Sequence, residues 1–322
     1  MASGPRWVMP SRGGGHLFDG YWQSLKPREV EEPIDVWVHR PIAFLLAKAL
    51  YPTTVSPNAV TLMSIVLGLT ALGCMVSGFA HHMPVAGLCI FLSAVFDCAD
   101  GQLARMRKTS SALGRMLDGV ADLVVTIAVV GGGAVVVLRA HFGVWWEFAL
   151  CALAIAVTGV TGSFHTASYD HYKNLFLRMT NPRYQEGEDL QTALARHSAS
   201  RAQDSMWMRV AWRIYLFYLP SQMNYIRRFD PYTTCSWNQL PSYSPEMAVV
   251  YAKHNAGMMR QWRTWFGFGS LVFGVAIATA TNLLGLYLVL RGLLLNLWYF
   301  GYMMPKQRAA SREAFRELGI NA

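Results

Sequence analysis

Six apolar segments, at about 59–80, 83–105, 113–140, 144–167, 262–282 and 283–304, leave this chain of 322 residues few ways to fold. Each is long enough to cross a bilayer, which takes roughly 20 mostly apolar residues. Lipid offers a backbone no hydrogen-bond partner, so each segment is predicted to be a helix that satisfies its own peptide groups. The expected fold class is therefore all-α, a polytopic membrane bundle of six transmembrane helices. Ahead of the first span, "IDVWVHRPIAFLLAKALYP" sets apolar and basic residues at helical spacing, which predicts an N-terminal amphipathic helix lying in the interface. Pro52 and Pro57 then break the chain as it turns into the membrane.

Composition and charge agree with a membrane class. Only 15% of residues are charged, against about a quarter in soluble domains. The net charge of +9 lies in segments that flank the apolar spans, where Lys and Arg set topology, so a nucleic-acid partner is excluded. Arg105, Arg107, Lys108 and Arg115, the region 173–263 and the tail from Lys306 to Arg316 are basic, whereas "HHMP" and "RAHFGVWWE" carry little charge. That asymmetry predicts cytoplasmic N- and C-termini. The five cysteines show neither metal-ligand nor disulfide spacing, and the N-terminus lacks the apolar core of a secretory signal.

The resulting partition is a flexible arm over 1–32, then an amphipathic helix and four spans over 33–175. A polar cytoplasmic insertion over 176–260 includes short helices such as "SMWMRVAWRIYLFYL"; two spans follow over 261–305, then a basic tail over 306–322. Gly131, Gly132 and Gly133 read as a close helix contact in the third span.

Four aspartates at the edge of the second and third spans carry the chemistry. Asp97 and Asp100 are three residues apart, and Asp118 and Asp122 four apart, so each pair shares one helix face. With a turn near residues 105–113 the two pairs reach similar depth, roughly 7–8 Å from the turn at 1.5 Å per residue. Carboxylates so close repel one another and must be neutralised. Hard divalent cations answer this, because Mg²⁺, Mn²⁺ and Ca²⁺ prefer oxygen ligands and Mg²⁺ commonly shares its shell with substrate phosphates. Gly101 and Gly114 leave room for a ligand near the backbone, and Arg105 and Arg115 are permanent cations suited to phosphate.

The spacing Asp97-x2-Asp100-Gly101-x2-Ala104-Arg105-x8-Gly114-x3-Asp118-x3-Asp122 resembles the signature of the CDP-alcohol phosphatidyltransferase family. "SPNAVT", Ser56 to Thr61, resembles the start of that family's first membrane helix. The resemblance covers about 33–175 well and the last two spans loosely. It implies a metal-dependent transfer of a substituted phosphoryl group from a CDP-linked donor to an alcohol, with release of CMP, in phospholipid synthesis. Carried over, Asp97, Asp100, Asp118 and Asp122 would bind Mg²⁺ or Mn²⁺, two ions per site, with Asp122 also the catalytic base. Gly101, Ala104, Arg105, Gly114, Asn58 and Thr61 would shape the nucleotide and phosphate pocket. Membrane lipid and a second copy in a homodimer are the further partners expected.

The acceptor is read from the cations nearest that boundary. His171, Lys173 and Arg178, joined by Arg291 within the sixth span, suit an anionic alcohol such as an inositol phosphate, with CDP-diacylglycerol as donor. "YDHYKN" is also similar to a stretch of choline and ethanolamine phosphotransferases. That keeps open a CDP-amino-alcohol with diacylglycerol, its amine received by Tyr169 and Asp170. A divalent-cation transporter would place carboxylates on membrane helices too, but leaves Gly101, Arg105 and Gly114 without a role.

Overall fold

Ser56 starts the first long helix: its hydroxyl accepts from the Ala59 N–H at 3.2 Å, with Pro57 at the first helical position, where the missing proline N–H costs nothing. In the computed structural model residues 20–25, 27, 29–109, 112–182, 184, 213, 220–234, 240, 241 and 243–320 are described, though not the side chains of Gln23 and of 112–119. Among the described residues there is no strand. The helices are α1 (Arg40–Leu50), α2 (Pro57–Val76), α3 (His82–Arg107), α4 (Ala112–Ala140), α5 (Trp145–Thr180), α6 (Pro245–Trp265), α7 (Phe268–Ala280) and a continuous α8 (Leu284–Glu317) with π-helical turns at Arg291–Leu295 and Tyr299–Met303. A further helical stretch occupies 220–229. Six stretches are long and apolar enough to cross a membrane, α6 and α7 together forming the fifth. The chain is thus an all-α polytopic bundle and an integral membrane protein.

Three helices run beyond their apolar windows. The fourth span, expected to end near 167, continues to Thr180; the fifth begins at Pro245; and the sixth runs on to Glu317 through the basic tail. Their polar ends are held by tertiary burial, since Leu175, Phe176, Met179, Tyr251, Met258, Ala314 and Phe315 share one core. The short helix expected over 205–219 lies outside the described residues except for Arg213, which is helical.

Two groups of helices result. In the first, α2 packs against α3 and α4, and α3 packs against α1 and α7. Its cores are built largely from small residues: Ala43, Ala47 and Ala99 near α1, and Ala71, Ala86 and Ala276 deeper. Gly87 lets α3 and α7 meet backbone to backbone, for a Cβ there would lie 2.5 Å from the Ala276 carbonyl oxygen. Of the three consecutive glycines in α4, Gly132 lies against Met75 and Gly133 against Leu284, while Gly131 faces open space. In the second group, α5 packs on α6, and α6 on the end of α8, around aromatic and methionine side chains.

The helix ahead of the first span is present from residue 33, a π-helical turn over Asp35–His39 leading into α1. It buries Val36, His39, Arg40, Ala43, Phe44 and Ala47 and exposes Trp37, Ile42 and Lys48. The end of the segment read as a flexible arm is packed here: Tyr21, Ser24, Val30, Glu31 and Glu32 are buried.

Candidate active site

α3 and α4, both packed on α2, bring Asp97 and Asp122 to one cavity of about 110 Å³. Asp100, three residues on from Asp97 and 6% exposed, accepts a short hydrogen bond from the Thr61 hydroxyl of α2, which also reaches the Pro57 carbonyl at 3.2 Å. A turn deeper, the Ser64 hydroxyl donates to the Thr61 carbonyl at 2.7 Å and the Ser93 hydroxyl to the Ser64 carbonyl at 2.8 Å. The Thr61–Asp100 and Ser93–Ser64 bonds cross-link α2 and α3 beside the carboxylates. Asp118 lies one helical turn before Asp122 on the same face of α4.

The end of α3 holds the chain that precedes α2. The Arg105 Nε donates to the Ser24 carbonyl at 2.8 Å, and its guanidinium passes beside Gly101, 3.3 Å from where a Cβ would stand. Buried Gln102 reaches the Ser24 hydroxyl at 3.2 Å. Arg107 donates to the carbonyls of Leu50, Thr53 and Val55 and so clamps the turn between α1 and α2. Asn58 is exposed and Ala104 half-buried.

The cavity's other walls were not anticipated from the sequence. Glu32, Asp35 and His39 line it from the segment leading into α1, and Phe268, Gly269 and Val272 from the start of α7. Glu32 accepts from the Ser270 backbone N–H at 3.0 Å and its hydroxyl at 3.3 Å, placing a carboxylate at a helix N-terminus, where it is favoured. Gly267 and Gly269 make the approach possible: a Cβ on either would lie within 2.2 Å of a Glu32 or Asp35 carboxylate atom. Burial raises the Glu32 carboxyl to about 7, the Asp35 charge adds to the rise, and the N–H groups of Ser270 and Gly269 oppose it. Asp35 meets His39 Nδ1 at 2.8 Å across one helical turn, while Glu31 pairs with Arg40 at 3.1 Å. The spacing Asp35-x3-His39, which puts both side chains on one helix face, was the available signal.

The cations expected at the acceptor are spread over other surroundings. Lys173 is paired with Asp170 and lies 5.0 Å from the Tyr169 ring centre. His171 meets the Thr233 hydroxyl at 3.1 Å, and Arg178 is half-buried near the end of α5. Tyr169 donates to the Val30 carbonyl at 2.7 Å. Arg291 contacts the Tyr287 hydroxyl at 3.4 Å in a separate apolar groove of about 450 Å³ that Trp265, Leu294 and Trp298 also line.

No three His, Cys, Asp or Glu side chains among the described residues are gathered closely enough to hold a metal, and the side chain of Asp118 is not among those described. The donor chemistry nonetheless fits a divalent ion: Asp97 and Asp122 offer acceptor-only oxygens from two helices to one cavity, and oxygen is the donor that hard cations require. Comparison with known families gives one finding: residues 54–175, from the turn before α2 into α5, match the model of CDP-alcohol phosphatidyltransferases. No curated protein matches the chain.

Proposed function

We propose, with that family match as premise, that this membrane protein transfers the phosphatidyl group of CDP-diacylglycerol to the hydroxyl of a polar alcohol and releases CMP. The observation that carries the reading is Asp97 and Asp122 sharing one cavity inside the matched segment, with Asp100 held by Thr61 a turn away. Members of the family generally use divalent metals. Asp97, Asp100, Asp118 and Asp122 would hold Mg²⁺ or Mn²⁺, which when bound would neutralise the donor's phosphates and the departing CMP.

The remaining work falls to the chain's own residues. Thr61 fixes the Asp100 carboxylate, leaving it aimed by two helices. The acceptor oxygen forms a bond to the phosphorus that carries the diacylglycerol, the bond from that phosphorus to CMP breaks, and the hydroxyl proton passes to Asp122. The end of α3 with Arg105 and the start of α4 with Gly114 receive the nucleotide, Arg105 being exposed there. The anionic acceptor expected from His171, Lys173, Arg178 and Arg291 gains no support, because Lys173 is already ion-paired and Arg291 sits in the separate groove.

Purified protein given CDP-diacylglycerol, Mg²⁺ and a panel of alcohols is expected to release CMP, and Asp100→Asn to lower turnover by about 10²-fold or more. A monodisperse Asp100→Asn protein with wild-type turnover would sink the assignment. The basic loops also support a site facing the cytoplasm. In intact cells a membrane-impermeant thiol reagent added outside is then expected to label Phe142→Cys and to spare Thr109→Cys; the opposite pattern reverses the orientation.

A further inference from the structure

Arg105, the cation placed at the nucleotide end of the site, is gripped by a segment outside the matched residues 54–175. Its Nε donates to the Ser24 carbonyl at 2.8 Å. Its two terminal nitrogens lie over Gly101, 3.3 and 3.7 Å from where a Cβ would stand, so the missing carbon lets the guanidinium rest on the helix. Asp97, Gly101 and Arg105 follow one another at intervals of four residues and form one ridge of α3. Side chains on a helix lean toward its N-terminus. Arg105 therefore points back along the ridge, and its fork stands one turn, about 6 Å along the axis, from Asp97 on the cavity wall. An exposed arginine at a helix end ordinarily samples many rotamers. This one is turned toward the carboxylates.

The Ser24 carbonyl is itself fixed in place. Tyr21, 5% exposed, donates its hydroxyl to the Val36 carbonyl and packs edge-on against Phe44 at 5.5 Å between ring centres. The Ser24 hydroxyl donates to the Tyr21 carbonyl at 2.6 Å and accepts from the buried Gln102 amide at 3.2 Å. Gln102 stands three residues before Arg105, so one turn of chain grips α3 at two points. Farther along, the Val30 carbonyl accepts from Tyr169 at 2.7 Å and the Glu31 carbonyl from Arg263 at 3.1 Å, which ties the segment to α5 and α6. Covering apolar surface accounts for Tyr21 and Val30; it does not call for a carbonyl aimed at the Nε of an exposed arginine. Capture through Nε keeps out of that bond the two terminal nitrogens, the pair whose geometry matches a phosphate.

We propose that the turn over residues 21–24 is a positioning element for the donor's diphosphate, Ser24 presetting the Arg105 fork toward Asp97 and Tyr21 holding Ser24. This rests on the transfer reaction proposed above. A long side chain ordered before the donor arrives spares binding the cost of ordering it. Residues 21–24 touch no substrate; they act through Arg105.

The test is a double-mutant cycle in purified full-length protein with Mg²⁺, read as CMP release from CDP-diacylglycerol with whichever alcohol the panel above shows to be turned over. Tyr21→Ala and Ser24→Ala are each expected to raise the KM for CDP-diacylglycerol about five-fold, within the range for ordering one long side chain. The KM of the alcohol should stay within about two-fold. In an Arg105→Lys background, which has no Nε to hold, the same two substitutions should change the donor's KM by less than about two-fold, because their effect runs through that side chain. If Tyr21→Ala does not fold, Ser24→Ala carries the same cycle. An unchanged donor KM in a folded variant, or a full-sized effect that persists beside Arg105→Lys, overturns the positioning role and leaves the reaction standing. If no alcohol is turned over, the transfer reading fails, and calorimetric titration with CDP and Mg²⁺ decides the positioning role alone. Binding that Ser24→Ala weakens about five-fold only when Arg105 is present upholds it, and binding that Ser24→Ala leaves unchanged, or no binding to the wild type, rejects it.

Discussion

The two helical groups of this protein solve opposite problems with the same secondary structure. Around α2, α3 and α7 many of the buried residues are small, with Ala71, Ala86, Ala99 and Ala276 letting backbones approach and carboxylates left facing a cavity. Around α5, α6 and the end of α8 the buried residues are large, with Tyr172, Trp262, Phe266, Tyr299 and Phe315 meeting in one core. A polar chain runs through that core: Trp262 Nε1 to Gln307 at 2.8 Å, Gln307 to Asn255 at 2.9 Å and Ser311 at 3.1 Å, and Ser311 to Asp230 at 2.6 Å. Tyr172 closes it on Asp230 at 3.2 Å. The first group gives up side-chain volume to bring charged groups together; the second fills its core with large rings and threads one hydrogen-bonded chain through them. Chemistry and stability are thereby separated, and mutations should separate them too.

The largest effect expected is on activity alone. Asp122→Asn should lower turnover by about 10²–10⁴-fold, the range for removing a general base, with little change in the thermal midpoint measured in detergent. The reverse is expected of Trp262→Ala: a fully buried indole and its bond to Gln307 are lost, costing about 3–5 kcal/mol of stability. At a temperature where that variant is still folded, its KM values should match the wild type. If Asp122→Asn unfolds the protein, or Trp262→Ala abolishes turnover in folded material, the division between the halves fails.

A pH experiment sharpens the same contrast. Burial raises Asp230 from 3.8 to about 6, against the opposing hydrogen bonds of Ser311 and Tyr172. A carboxyl whose folded value is raised binds more protons folded than unfolded, so its contribution is complete below about 4 and is lost as pH rises through about 6. The change amounts to up to about 3 kcal/mol. Thermal midpoints at pH 4.5 and 7.5 should converge in Asp230→Asn relative to the wild type, and an unaltered pH dependence would remove Asp230 from this role. Smaller still is the effect of Gly87→Ala. Its added methyl meets the Ala276 carbonyl and Ala280, and should cost about 1–3 kcal/mol as overpacking and lower turnover by shifting α3 against α7. An equally stable, equally active variant would mean that this contact is not close in solution.

Much of the site is legible in the amino-acid sequence. Asp97, Asp100, Asp118 and Asp122 lie on α3 and α4 where a period of 3.6 residues puts each pair on one face, because that relation is internal to one helix. Thr61 stands out as a pocket residue from its place in "SPNAVT"; its bond to Asp100, 39 positions away, does not. Lys173 looks available because a sequence shows a charge but not its ion-pair partner, Asp170, and the separate groove that holds Arg291 is no more visible there. Glu32 reads as part of the flexible arm and Asp35 and His39 as positions on the interfacial helix, and their place on the cavity wall depends on α1 docking against α3 and on the break at Gly267 that starts α7.

The sequence by itself determined the six apolar helices and the two carboxylate pairs, since the bilayer requires the backbone to satisfy itself and helical periodicity is local. Tertiary structure alone decided how far the helices continue past the apolar windows, as when buried Gln307, Ser311 and Phe315 carry α8 to Glu317. It also decided which charges share a cavity, because both outcomes depend on burial against residues far away in the chain, and burial is a property of packed surfaces that no single stretch contains.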